Sequence, residues 1–83
     1  MSAVSFQLNG EQWTLTDADV KAAVKPLAPE PPRTHVVLID GSTYPVKQAF
    51  SAATGLDRLD FTTNQARTVL KRLGLVVTRV DES

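Results

Sequence analysis

Four of the five prolines in this 83-residue chain fall within seven positions, Pro26-Leu-Ala-Pro-Glu-Pro-Pro32. Proline fixes φ and donates no backbone N–H, so the stretch suits neither a helix interior nor an inner strand. It predicts a stiff, extended connector over residues 26–34. Neither flanking piece is long enough to bury an adequate core alone, so residues 1–83 are expected to form a single domain.

The piece before the connector reads as strand, strand, helix. Asn9-Gly10 favours a type I′ turn, in which both central residues take positive φ. A two-residue loop sets Leu8 opposite Glu11, Phe6 opposite Trp13 and Val4 opposite Leu15, with the apolar residues on one face. Thr16 is then a helix N-cap with Asp19 as its capping-box partner. Val20, Ala23 and Val24 follow at helical spacing before Pro26 stops the helix.

The piece after it reads as strand, strand, helix, helix, strand. A second hairpin turns at Asp40-Gly41, and Val36 to Ile39 is apolar throughout, as in a strand covered on both faces. Pro45 suits the first turn of a helix. Val46, Ala49, Phe50 and Ala53 line its inner side, and Gly55 ends it. Leu56, Leu59 and Phe61 are expected to tuck inward from the next connector, leaving Arg58 pointing outward between two buried leucines. Thr62 and Gln65 form a second capping box. Ala66, Val69, Leu70 and Leu73 are the inner stripe of the last helix, Gly74 ends it, and Leu75 to Val80 is a final strand. The fold class is α+β: β-β-α, proline-rich connector, β-β-α-α-β. The second half is helix-turn-helix-like, although Gly55 to Phe61 exceeds the usual three- or four-residue turn.

Several functions are set aside by what the chain contains. It has no cysteine, which excludes disulfides and thiolate metal sites. Its single histidine, His35, sits at a strand edge and reads as structural. No metal-ligand cluster, nucleophile elbow or phosphate loop is present. The chain is expected to be non-enzymatic, with no cofactor and no metal. No apolar run is long enough to span a membrane, and the first residues lack the pattern of a signal peptide. The expected location is cytoplasmic and nucleoid-associated.

A net charge of zero conceals an asymmetry. Residues 1–32 carry a net −2, residues 33–80 a net +4, and Asp81 and Glu82 restore neutrality. A basic half suggests a localised surface for a polyanion. The last helix sharpens this. At about 3.6 residues per turn, Asn64, Arg67, Thr68 and Lys71 share its outer face. An amide, a guanidinium, a hydroxyl and an ammonium are groups that contact base edges and phosphates. Thr62 and Thr63 mark a helix start whose backbone N–H groups favour anions. Lys47 and Gln48 lie beside Tyr44 at a strand–helix junction, where a shallow pocket is expected. Trp13 reads as core. The candidate DNA contacts are Arg33, Tyr44, Lys47, Gln48, Arg58, Thr62, Thr63, Asn64, Arg67 and Lys71.

Further along the same residues, Gly41-Ser-Thr-Tyr-Pro-Val-Lys-Gln48, Ala53-Thr-Gly55, Arg58, Asp60-Phe-Thr62, Ala66 and Leu70-Lys-Arg-Leu-Gly-Leu-Val-Val77 form a recognisable pattern. It resembles the N-terminal DNA-binding domain of actinobacterial McrA-like (HNH) modification-dependent restriction enzymes and related stand-alone small proteins. The likeness covers residues 35–80, the expected DNA-binding half. It implies a double-stranded DNA-binding module, with 5-methylcytosine as the candidate modified base, and carries over Tyr44, Lys47, Arg58 and the segment Thr62–Arg67 as contacts. No nuclease domain accompanies the pattern, so cleavage is not implied. A flipped base would need a stacking aromatic, for which Tyr44 or Trp13 is available; reading in the groove would need an apolar contact to the methyl. The alternative is a protein–protein interaction module or small regulatory adaptor, engaging a partner through a hairpin or the Pro26–Pro32 segment. RNA binding ranks lower, because no interleaved aromatic platform is visible.

Overall fold

Both hairpins form where the turn dipeptides place them. In the computed structural model, which describes residues 3–31 and 34–80, Asn9 and Gly10 have φ of 53° and 81°, and Asp40 and Gly41 have 48° and 82°. Strands β1 (Ala3–Leu8) and β2 (Glu11–Thr16) pair antiparallel, with Phe6 opposite Trp13 and Val4 opposite Leu15. Val4, Leu8 and Leu15 are buried, and Phe6 and Trp13 pack against the core as partly buried side chains.

Helix α1 (Asp17–Val24) begins at the expected capping box. The Asp19 amide donates to Thr16 Oγ1 at 3.0 Å, and the Thr16 amide donates to Asp19 Oδ2 at 3.0 Å. Two of the helix's orphan donors are thereby satisfied.

The second hairpin, β3 (His35–Ile39) and β4 (Ser42–Pro45), gains a third strand from the far end of the chain. Strand β5 (Val76–Arg79) pairs antiparallel with β3, giving the order β4-β3-β5. Val37 lies between Tyr44 and Val77 on the inner face. On the other face the expectation for β3 needs correction. Leu38 is 44% exposed, opposite Val76 at 55%, so the middle strand is not covered throughout its length. The three helices leave that part of the outer face to solvent.

Helix α2 (Val46–Thr54) lies at the centre of the core. Phe50 is completely buried, its ring 5.7 Å from Phe6 of the first hairpin and 4.7 Å from Phe61 in an edge-on arrangement. Gly55, with φ of 78°, ends the helix in the left-handed region. Residues 55–62 then lead through a 3-10 turn (Arg58–Asp60) to α3 (Thr63–Arg72). Here only part of the expected burial occurs. Phe61 is buried and Leu56 partly so, but Leu59 is 92% exposed. The 3-10 turn accounts for this: it rotates Leu59 outward while Asp57 Oδ1 accepts from the Leu59 amide at 2.9 Å. The first hairpin is tied to the same connector, because Asn9 Nδ2 donates to the Asp60 carbonyl at 2.8 Å.

Helix α3 carries the second capping box, Thr62 with Gln65. Its inner stripe of Ala66, Val69, Leu70 and the following Leu73 is buried as the spacing requires. At its end the Leu75 amide bonds the Leu70 carbonyl and Gly74 bonds Lys71, a Schellman arrangement that turns the chain into β5. The whole is a small α+β domain of three helices and two antiparallel sheets. Among the described residues, no helix is long and apolar enough to cross a membrane.

The connector is fastened rather than loose. Gln48, 5% exposed, donates through Nε2 to the Ala28 carbonyl and accepts through Oε1 from the Glu30 amide, both at 3.0 Å. One buried amide thus supplies the partners that an isolated extended segment lacks. Replacing Gln48 by Ala should destabilise the domain by about 1–3 kcal/mol, the cost of stranded polar groups. Urea unfolding measures the loss, and hydrogen exchange should show the Glu30 amide losing protection.

Candidate nucleic-acid interface

Five separate stretches of chain meet at the start of α3. Glu30 and Thr34 come from the connector, His35 from the start of β3, Pro45, Val46 and Lys47 from the β4–α2 junction, Arg58 from the 3-10 turn and Thr63 from α3. They line an open cleft of about 390 Å³. Three of these residues, Lys47, Arg58 and Thr63, belong to the expected contact set.

The cations of the cleft are held in place. Lys47 Nζ lies 5.6 Å from the centroid of the Phe61 ring and donates to the Arg58 carbonyl at 3.1 Å. Its head is therefore directed by an aromatic face and a backbone oxygen. Arg58 forms a two-pronged pair with Glu30. Nη1 donates to Oε1 at 2.6 Å, and Nη2 donates to Oε2. The hydrogen bond to Glu30 raises the guanidinium's affinity for its proton, partial burial opposes this, and the charges of Glu30 and Asp57 reinforce it. The side chains of the pair remain substantially exposed, so it is a surface ion pair in energetic terms.

Beside the cleft, three more cations bear electrostatically on His35. Arg67 and Lys71 project from one flank of α3, and Arg79 lies directly across from His35 in the β3–β5 ladder. The imidazole's proton affinity is lowered, first by desolvation and then by the positive charges of Arg67, Arg79 and Lys71 in that order. Arg67 Nε and His35 Nδ1 are shielded from solvent without a hydrogen-bond partner among the described residues.

Asn64 and Thr68 occupy the other flank of α3. With Arg72, they border a groove shared with Phe6, Gln7 and Leu8 of β1. Thr68 Oγ1 donates back to the Asn64 carbonyl at 2.9 Å. The outer surface of α3 therefore has two edges, one with Arg67 and Lys71 and one with Asn64, Thr68 and Arg72 toward the first hairpin. Thr62 is exposed, but its hydroxyl oxygen already accepts from the Gln65 amide.

Two expected contacts are corrected. Tyr44 is 6% exposed and its hydroxyl donates to the Val24 carbonyl at 3.4 Å, placing it in the core. Gln48 is committed to the connector, as described above. The polar atoms of these two residues are engaged by α1 and by the connector, while Pro45, Val46 and Lys47 of the same junction line the cleft. Arg33 lies outside the described residues. Among the described lining residues of the cleft there is no Phe, Tyr or Trp, so it offers a flipped base no broad stacking surface.

His35, Arg79, Glu30 and Thr34 were absent from the expected set. For His35 and Arg79 the missing information was the β3–β5 pairing, which joins residues more than forty positions apart. Glu30 had a local signal, an acid confined between two prolines. Among the described residues, no group of three His, Asp or Glu side chains is arranged to hold a metal ion.

Fold and cleft together define a small α+β domain with an open cleft beside the start of its last helix. Residues 11–83 match the model of the SCO5918-like family, and the chain belongs to that family. No curated protein and no solved structure matches it.

The electrostatics of His35 set a pH dependence. Because the folded chain binds its proton less readily than the unfolded chain does, the unfolded state gains protons first as pH falls below about 6.5. Stability contributed by neutral His35 is fully present above that value and is lost as pH drops through the lower folded value. The melting temperature should therefore fall between pH 7 and pH 5, and it should fall less in His35→Gln; thermal unfolding by circular dichroism compares the two.

Proposed function

We propose that this domain is a non-enzymatic double-stranded DNA-binding module that docks through the outer surface of α3 and the cleft at its start. The observation that carries the reading is a cleft holding Lys47 and Arg58 beside His35, which Arg79 faces across the β3–β5 ladder and whose electrostatics Arg67 and Lys71 influence. The five cations come from four separate elements, on a chain with no net charge. A focused cationic surface on a neutral body suits a polyanion that presents several charges at once.

In this reading Arg67, Lys71 and Lys47 neutralise phosphates, and the amide of Asn64 reaches base edges from the first turn of α3. Phosphate contacts would position the domain, and the Asn64 edge would discriminate between bases. With Tyr44 buried and the cleft without a broad aromatic ring, a 5-methyl group would be read in the groove rather than on a flipped base. Function on a duplex would place the protein at the nucleoid.

Fluorescence anisotropy with methylated and unmethylated duplexes over a salt series tests the proposal. Roughly three to four phosphate contacts should give a log–log salt slope of about −3 to −4. Arg67→Gln and Lys71→Gln should each weaken binding to all duplexes and reduce that slope by about one unit. Asn64→Ala should instead leave the slope unchanged and flatten the preference among sequences, by about 1–3 kcal/mol at the affected position. Absence of binding at low salt rejects the reading. Equal affinity for both duplexes rejects only the preference for the methylated base.

A further inference from the structure

The pairing of Arg58 with an acid from the connector has a meaning beyond stability. We propose that Glu30 is a built-in competitor for the phosphate site: its carboxylate occupies the fork of Arg58, and a phosphate group must displace it to enter the cleft. The inference rests on the cleft's being an anion site, as the DNA-binding reading requires, and adds how access to that site is restrained.

Three observations support it. First, the geometry is the one a phosphate would use. Both terminal nitrogens of Arg58 donate to the two oxygens of one carboxylate, and the planar guanidinium meets two oxygens of a phosphate in the same way. Second, Glu30 is placed there by the fold. Pro29 and Pro31 restrict the backbone on both sides. Buried Gln48 then holds the Glu30 amide and the Ala28 carbonyl together. Much of the ordering cost of bringing this acid to Arg58 is met by contacts that do not involve its side chain. Third, both partners line the same cleft as Lys47, His35 and Thr63, and both keep substantial exposure. An incoming anion can therefore reach the guanidinium without opening the core.

The consequence is electrostatic. With Glu30 engaged, Arg58 adds no net charge to the cationic surface, and one potential phosphate contact is silent. Displacement of the carboxylate restores that contact. Glu30 thus lowers affinity for isolated phosphates and reserves Arg58 for ligands that are also held by Arg67, Lys71 and Lys47.

Inorganic phosphate is the probe, followed by NMR at the Arg58 side-chain Nε–H, with duplex binding measured in parallel. Glu30→Gln retains the backbone amide that Gln48 holds, and should bind phosphate up to about fivefold tighter than the wild-type chain, the upper range for releasing an exposed ion pair. Its duplex salt slope should steepen by about one unit. Glu30→Asp, one methylene shorter, should lie between the two and provides a second reading should the first variant fold poorly. The double variant Glu30→Gln with Arg58→Gln should lose the gain. Equal phosphate affinity in wild type, Glu30→Gln and Glu30→Asp overturns the proposal. So does a gain that survives in the double variant, whose net charge equals that of the wild type, since it would then arise without Arg58. A chain that binds no duplex at low salt, yet gains phosphate affinity at Arg58 when Glu30 is changed, keeps the competition and rejects the DNA reading. Duplex binding unaffected by Glu30, with phosphate affinity also unchanged, does the reverse.

Discussion

The burial of Phe50 is the contact on which the rest of the architecture depends. Its ring joins Phe6 of the first hairpin to Phe61 of the connector before α3, so one side chain of α2 binds together elements from both sides of the proline-rich segment. An aromatic ring is the largest apolar surface a domain of this size can commit to one position, and edge-on contact adds directionality to that burial. Phe61 in turn lies under the Lys47 ammonium. The core and the cationic cleft are therefore two sides of the same ring, and a change that loosens the first must disturb the second.

Buried polar groups perform the corresponding task for the connector. A segment with four prolines forms few backbone bonds of its own, and nothing in its composition attaches it to a neighbour. Gln48 makes that attachment with both ends of a single amide, while Tyr44 reaches the last turn of α1. Both residues look, in the chain alone, like polar groups at a junction available to a ligand. Their polar atoms instead complete the fold, in keeping with the high cost of burying an amide or hydroxyl without a partner. The placement of Glu30 against Arg58 follows from the same attachment.

Much of the framework was legible from local chemistry. Asn9-Gly10 and Asp40-Gly41 set two hairpins, because their backbone angles suit few other residue pairs. The capping boxes at Thr16 and Thr62 marked helix starts, and Gly55 and Gly74 marked the ends of α2 and α3. The inner stripe Ala66, Val69, Leu70 and Leu73 followed from period alone. Leu59 and Leu38 did not follow. Both are apolar residues in apolar surroundings, and their exposure depends on the rotation of a 3-10 turn and on how much of a sheet face the helices cover. Of the candidate site, the cationic face of α3 could be read from spacing; the cations that bear on His35 could not.

The amino-acid order by itself determined the five strands and three α-helices to within a residue or two, the hairpin registers and the uneven distribution of charge. Each of these depends on interactions within about a dozen residues, where backbone geometry and side-chain period leave few choices. Tertiary structure alone decided which charges meet. The pairing of β5 with β3 brings Arg79 to His35, and the return of the connector across α2 brings Glu30 to Arg58. Such contacts arise from shared burial of distant segments, and a charge carries no local signal of the partner that packing will give it.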